Sequence, residues 1–93
     1  MASNVDEITV SYEEDGVLLV KELDKVVLSK GSWVTIIFRY QQWEPGKNGY
    51  SPERYTIRRY RKINEEYRQQ SKFNISSSEQ AKKIIEALQK WIG

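Results

Sequence analysis

The stretch Trp33–Trp43, WVTIIFRYQQW, decides the fold because β-branched and aromatic residues dominate it. Successive side chains of a strand point to opposite faces, so the even and odd positions of this stretch separate. The odd face carries Arg39 and Gln41 between two tryptophans, and burial in a core does not explain it. The even face is continuous and apolar, and we predict that it lies in the core: Val34, Ile36, Phe38 and Tyr40.

Upstream of this stretch the chain reads as short strands separated by turns. Ile8 and Val10 alternate with polar neighbours, which is typical of a strand. Turn residues follow at 14–16 and at 30–31. Between these turns, the segment 17–29 predicts one bent strand or two short ones.

Downstream, a loop and two more strands precede the C-terminal segment. The loop at 44–52 contains two prolines and two glycines. The segments 55–62 and 67–75 are rich in residues that favour strands, and a turn around 64–66 joins them into a hairpin. In the last strand we predict three inward-facing residues: Tyr67, Phe73 and Ile75.

The C-terminal segment predicts a helix over 76–92. Ser76 and Ser77 are suitable N-cap residues, with Glu79 and Gln80 at the capping-box spacing. Apolar residues recur at helical spacing and form one stripe, which covers either the sheet of its own chain or a second copy. We assign the dimer interface to four residues of this stripe: Ile84, Ile85, Leu88 and Trp91.

This order of elements predicts an α+β fold, in which a strongly bent antiparallel sheet of four or more strands precedes one C-terminal helix. A chain of 93 residues forms a single domain, 1–93. Within it we distinguish an acidic N-terminal arm with strands at 1–24, a curved basic sheet at 25–75 and an amphipathic helix at 76–92.

Composition excludes most catalytic classes. The chain has no cysteine and no histidine, which excludes thiol chemistry, Ser-His nucleophilic catalysis and zinc sites built from these residues. A carboxylate-only site for Mg²⁺ or Ca²⁺ remains formally open, but no spacing recommends a carboxylate pair for acid–base work, and no phosphate loop occurs. We therefore expect a non-enzyme with no catalytic residue, metal or cofactor. Without a signal segment or an apolar run long enough for a bilayer, an intracellular location is expected.

Charge is distributed unevenly along the chain. Residues 1–24 carry seven acidic and one basic side chain, a net charge of −6, whereas residues 25–93 carry a net charge of +8. Seven basic residues fall between positions 54 and 72, on the two predicted hairpin strands. Arginine and lysine at this density bind phosphates and release counterions, and interleaved aromatic rings can stack unpaired bases. The pattern favours a surface that binds a single-stranded nucleic acid.

We assign the binding residues by their chemistry. Phosphates are expected at Arg39, Arg58, Arg61, Arg68 and Lys72, and bases are expected to stack on Trp33, Trp43 or Tyr60.

Several short segments carry a likeness to a known family. They are Val26-Val27-Leu28-Ser29, Ile57-Arg58-Arg59-Tyr60 and Lys72-Phe73-Asn74-Ile75-Ser76, followed by a helix that begins Ser-Ser-Glu-Gln and contains Ile-Ile-x-x-Leu. Over residues 26–92 the chain resembles the single-stranded-DNA-binding domain of the positive cofactor 4 family of transcriptional coactivators, including its short bacterial members. Two departures are that Arg59 stands where the family has an acidic residue, and Arg61 where it has an aromatic one.

The resemblance implies a homodimer in which paired helices and sheets leave two curved β-surfaces for single-stranded or melted DNA, with little sequence specificity. Carried over by position, Arg58 is the best-matched phosphate contact, and Arg39 and Lys72 match less closely. The resemblance further implies a bacterial-type coactivator or nucleoid-associated protein in the cytoplasm, with the transcription machinery as a further partner.

Two alternatives stay open. Pur-alpha-like and Whirly-like domains share the plan of strands followed by a helix, so the partner could be RNA or the family another nucleic-acid-binding one. A different class is a protein–protein interaction module that uses the acidic arm and the helix stripe.

Overall fold

Six strands and one helix account for most of the chain in the computed structural model, which describes residues 3–93. The strands are β1 (Tyr12–Glu14), β2 (Val17–Ser29), β3 (Trp33–Glu44), β4 (Gly49–Tyr50), β5 (Arg54–Ile63) and β6 (Glu66–Ile75). The helix α1 spans Ser78–Ile92, and short 3-10 turns occur at Val5–Glu7 and Pro45–Lys47.

The strands form one antiparallel sheet in the order β1-β2-β3-β5-β6, with the two-residue β4 paired to β3. The sheet is strongly curled into a half-barrel, and a single helix follows it. The predicted α+β fold, a bent antiparallel sheet followed by a C-terminal helix, is therefore confirmed.

The even positions of β3 form the centre of the core. Val34, Ile36 and Phe38 are completely buried, as predicted from their alternation. In β5, Tyr60 pairs with Val34 and Thr56 pairs with Phe38, so these residues share the same side of the sheet. We call this side the core face, and the opposite side, which carries the odd positions of β3, the helix face.

The N-terminal segment completes the core. Ile8 and Val10 are buried against the β3 residues. The Lys25 ammonium holds this segment by donating to the carbonyl oxygens of Val5, Asp6 and Ile8, at 3.0, 3.2 and 2.7 Å. Part of the acidic first quarter of the chain therefore folds onto the core face.

Of the three β6 residues predicted to face inward, Tyr67 packs against the core and Ile75 is buried, whereas Phe73 is 52% exposed, and the three do not share one face. Ser71 pairs with Arg59, whereas Gln69 pairs with Tyr60, so Gln70 is an extra residue in β6. Such a β-bulge interrupts the alternation of side chains. Tyr67 consequently packs against the core on the core face, whereas Phe73 and Ile75 lie on the helix face.

Strand β2 is continuous. Of the two alternatives expected for residues 17–29, one bent strand or two short ones, the structure therefore has the single bent strand. Its pairing with β3 is irregular between Glu22 and Asp24 and again between Val27 and Ser29. These two irregularities accommodate the bend without ending the strand.

The helix begins as predicted but leaves its apolar stripe largely uncovered. The Ser77 side chain accepts a hydrogen bond from the Gln80 amide at 3.1 Å, which makes Ser77 the N-cap. A groove of about 500 Å³ separates α1 from the helix face of the sheet. Trp91 and Ile92, at the end of the stripe, are 76% and 82% exposed. Among residues 3–93, no helix is long and apolar enough to cross a membrane.

The packing of the N-terminal segment generates a stability prediction. Ile8→Ala should lower the free energy of unfolding by about 2–5 kcal/mol, because it leaves a cavity in the core. Urea unfolding followed by circular dichroism measures this loss. Val17→Ala is the matched control, since Val17 is 37% exposed and its truncation should change stability by about 0.5 kcal/mol or less. Equal stability of the Ile8 variant and the wild type would contradict the packing described.

Candidate nucleic-acid interface

The basic hairpin formed by β5 and β6 divides its charges between the two faces of the sheet. Arg61 pairs with Trp33 on one side and with Arg68 on the other, which places all three on the helix face. Arg58 pairs with Ile36 and with Lys72, which places this second group on the core face. The alternation of strand side chains therefore produces two separate basic patches.

On the helix face, arginines surround a half-exposed tryptophan. The guanidinium of Arg59 lies 4.5 Å from the Trp33 ring centroid, and that of Arg61 lies 5.5 Å from it. Both distances are within the range of cation–π attraction. Trp33 remains 38% exposed. We call the group of Trp33, Arg59, Arg61 and Arg68 the Trp33 cluster.

The positive charge of the Trp33 cluster is mostly uncompensated. Arg68 lies 3.7 Å from the carboxylate of Glu66, and both side chains are partly exposed. Arg59 and Arg61 form no salt bridge with any residue in the described part of the chain. Exposed ion pairs contribute little, so the cluster retains an excess of cations over a partly exposed aromatic ring.

Two contacts hold the turn before Trp33 against the hairpin. The Lys62 amide donates to the Ser32 carbonyl at 2.9 Å, and the Tyr67 hydroxyl lies 3.4 Å from the Gly31 carbonyl. The Lys62 ammonium lies 5.6 Å from the Tyr67 ring centroid. One backbone and one side-chain hydrogen bond therefore hold the turn that positions Trp33 beside β5.

On the core face, the second patch consists of Arg58, Gln69 and Lys72, and we call it the Arg58 patch. Arg58 Nη1 donates to Gln69 Oε1 at 2.9 Å. Its Nε is buried and has no hydrogen-bond partner within residues 3–93. Lys72 is exposed beside Arg58 and forms no salt bridge within the described residues. This patch presents cations and an amide but no exposed aromatic ring.

Tyr60 does not offer a stacking surface, so that prediction is wrong. Only 6% of it is exposed, and it belongs to the core cluster. Burial raises the pKa of its hydroxyl, and the nearby positive charge of Arg58 partly opposes this shift. The physical reason is its pairing with Val34, which turns the ring towards the core.

Arg39 and Trp43 lie apart from both patches. Trp33 and Trp43 are ten positions apart on β3, which corresponds to about 33 Å along a strand. Arg39 donates to Glu53 at 2.8 Å, in a salt bridge whose side chains are both nearly half exposed. The Trp43 ring contacts Tyr50 edge to face, with centroids 5.2 Å apart. These two predicted contacts therefore do not join the residues of the hairpin.

Arg59 is the residue that the sequence reasoning missed. The positive cofactor 4 family, which the chain resembles, has an acidic residue at this position, so the resemblance gave no reason to expect a binding residue there. Its pairing with Thr35 places it next to Trp33 on the helix face. Side chains alternate along a strand, so odd and even positions point to opposite faces. This alternation was the signal in the sequence that assigns Arg59 and Arg61 to one face and Arg58 to the other.

The structure adds no metal site to these patches. Within residues 3–93, no group of three or more Asp, Glu, His or Cys residues is placed to hold a metal ion.

The buried hydroxyl of Tyr60 generates a pH prediction. Because its folded-state pKa is raised, the unfolded state loses this proton first as pH rises. The free energy of unfolding should therefore be unaffected by Tyr60 below about pH 10 and should fall as pH increases towards the folded-state pKa. In Tyr60→Phe this part of the alkaline decline should disappear, as measured by urea unfolding at several pH values. An identical decline in both proteins would contradict the assignment.

Comparisons with known proteins identify no relative. No protein-family model matches the chain, and neither the curated proteins nor the solved structures contain a match.

Proposed function

We propose that the chain binds single-stranded nucleic acid, with little sequence specificity, as a homodimer. The observation that carries this proposal is the Trp33 cluster, where Arg59 and Arg61 lack carboxylate partners within the described residues and lie over a partly exposed ring. Cations that are not neutralised by the protein attract a polyanion and release its counterions. An exposed indole can stack any base, and this contact does not depend on sequence.

A single strand fits this surface better than a duplex does. The rings of paired bases are stacked on their neighbours, whereas unpaired bases are free to stack on an aromatic side chain. Readout of a duplex groove commonly uses a helix or a two-stranded ribbon that inserts polar side chains. The one helix in residues 3–93 carries an apolar stripe instead, and its exposed residues include Ile85 and Leu88.

The uncovered helix supports a dimer. The accessible surface is 6828 Å², whereas a compact monomer of this size exposes about 5,600 Å². The difference exceeds the roughly 800 Å² that each partner buries in a standard interface. Ile84 is half-buried in the groove, Ile85 and Leu88 line it while remaining exposed, and Trp91 is exposed at the end of the stripe. A second copy is the occupant that this stripe fits, because a symmetric contact buries the same surface twice.

The resemblance to the positive cofactor 4 family supports DNA as the strand that is bound. The curled antiparallel sheet with one C-terminal helix is compatible with that family and does not identify it. On this basis we propose a role as a coactivator or nucleoid-associated protein in the bacterial cytoplasm. RNA binding is the alternative, since the Trp33 cluster provides no feature that selects against a ribose hydroxyl.

The specificity for single strands is tested by fluorescence anisotropy. A labelled unstructured oligonucleotide should bind more tightly than its duplex, because only the single strand offers a base to Trp33. Titration across a salt series should weaken binding steadily, as expected when phosphates are neutralised. An RNA of the same sequence distinguishes the alternative. Binding that is independent of salt, or that is tighter to the duplex, would overturn the proposal.

The role of the Trp33 cluster is tested by Arg61→Ala. This variant should bind more weakly to every sequence. The slope of log K against log[salt] should become shallower by about 0.7, which is the value for one phosphate contact on a single strand. Lys83→Ala is the matched control because Lys83 is exposed on α1, away from the stripe. Equal slopes for the two variants would mean that Arg61 contacts no phosphate.

The dimer is tested by analytical ultracentrifugation at micromolar protein. The wild type should sediment as a dimer, and Leu88→Glu should shift it to a monomer, because the substitution places a charge in the apolar stripe. Leu88 is about half exposed in the single chain, so the folded chain should tolerate the change. Retention of the dimer by this variant, with unchanged circular dichroism, would exclude the helix stripe as the interface.

A further inference from the structure

The two basic patches cannot be reached by the same straight segment of nucleic acid. The Trp33 cluster and the Arg58 patch lie on opposite faces of the β5–β6 hairpin, with the hydrogen-bonded backbone between them. A single strand that contacts both must pass around β6, which is the last strand of the sheet.

Each patch is accessible and has its own excess of positive charge. On the helix face, Arg59 and Arg61 lack salt-bridge partners among the described residues, and on the core face the same holds for Arg58 and Lys72. The N-terminal segment covers the core face at Ile8 and Val10, whereas Gln69 and Lys72 at its β6 side remain exposed. Neither patch therefore depends on the other for its charge.

The separation between the faces permits simultaneous occupation. A layer that packs on a sheet lies about 10 Å from it, so segments on opposite faces are separated by on the order of 10 to 20 Å. This distance exceeds the Debye length of about 8 Å at physiological ionic strength. The arginines between the two segments reduce their mutual repulsion further. Electrostatics therefore do not prevent one hairpin from holding two polyanions.

We propose that each chain binds two nucleic-acid segments at once, one on each face of the β5–β6 hairpin, and so bridges two strands. This inference rests on the proposed function. The two contacts differ in chemistry: the Trp33 cluster stacks an unpaired base, whereas the Arg58 patch has no exposed aromatic ring and holds the phosphate backbone alone.

The bridging is tested by energy transfer between two long unstructured oligonucleotides, one labelled with a donor and the other with an acceptor. The experiment uses the Leu88→Glu monomer, because the two protomers of a dimer would join two strands even if each chain held only one. This monomer should bring the two labels together. In the same background, the double variants Arg58→Ala with Lys72→Ala, and Arg59→Ala with Arg61→Ala, should each lose transfer while retaining weakened binding, because each removes one of the two patches. Each should also lose about 1.4 from the salt slope, twice the value for one phosphate contact.

Controls separate the alternatives. Lys83→Ala with Lys90→Ala removes two exposed charges from α1, away from the groove, and should leave transfer unchanged. Because Arg58 is partly buried, Lys72→Glu alone provides a second variant that disturbs only an exposed side chain, and it should also abolish transfer. Circular dichroism melting verifies that each variant is folded.

Each outcome has one meaning. Transfer that persists in the monomer without Arg58 and Lys72 would show that the Arg58 patch does not hold the second strand, and the inference would be overturned. Binding to the monomer without any transfer would show that each chain holds one strand, which also overturns it. Absence of binding to any oligonucleotide would instead overturn the proposed function itself.

Discussion

Burial of the even face of β3 is the constraint on which the rest of the structure depends. Val34, Ile36 and Phe38 are shielded completely, although the chain has no second sheet or helix on this side within residues 3–93. The shielding comes from the curl of the sheet and from Ile8 and Val10 of the N-terminal segment. Because strand side chains alternate, burying one face of β3 also fixes which residues of β2 and β5 point away from the core.

The division of charge on the hairpin is a direct consequence of this constraint. Once Tyr60 is turned inward by its pairing with Val34, its neighbours Arg59 and Arg61 must point to the helix face. Trp33 occurs on that face for the same reason, since it precedes Val34 by one position. The aromatic ring and the arginines therefore meet because of a core requirement, and the contact between them follows from the register of β3 and β5.

The sequence was informative wherever local pattern determines structure. The alternation in Trp33–Trp43 predicted the buried face, and the spacing of apolar residues predicted the helix, with Ser76 and Ser77 as its two candidate N-caps. Register and irregularity were not accessible in this way. Nothing local marks Gln70 as a bulge, so Tyr67 was expected on the same face as Phe73. Similarly, Tyr60 was regarded as a surface ring because its partner across the sheet was unknown.

The bulge at Gln70 also determines how the edge of the sheet is shaped. Gln69 and Ser71 already lie on opposite faces, as consecutive residues of a regular strand would. Removing Gln70 would therefore leave every side chain of the hairpin on its present face. It would remove the additional local twist that a bulge introduces. Gln70 thus sets the local curvature of the surface, along which a strand would run in the proposed complex, and not the set of groups that the strand would contact.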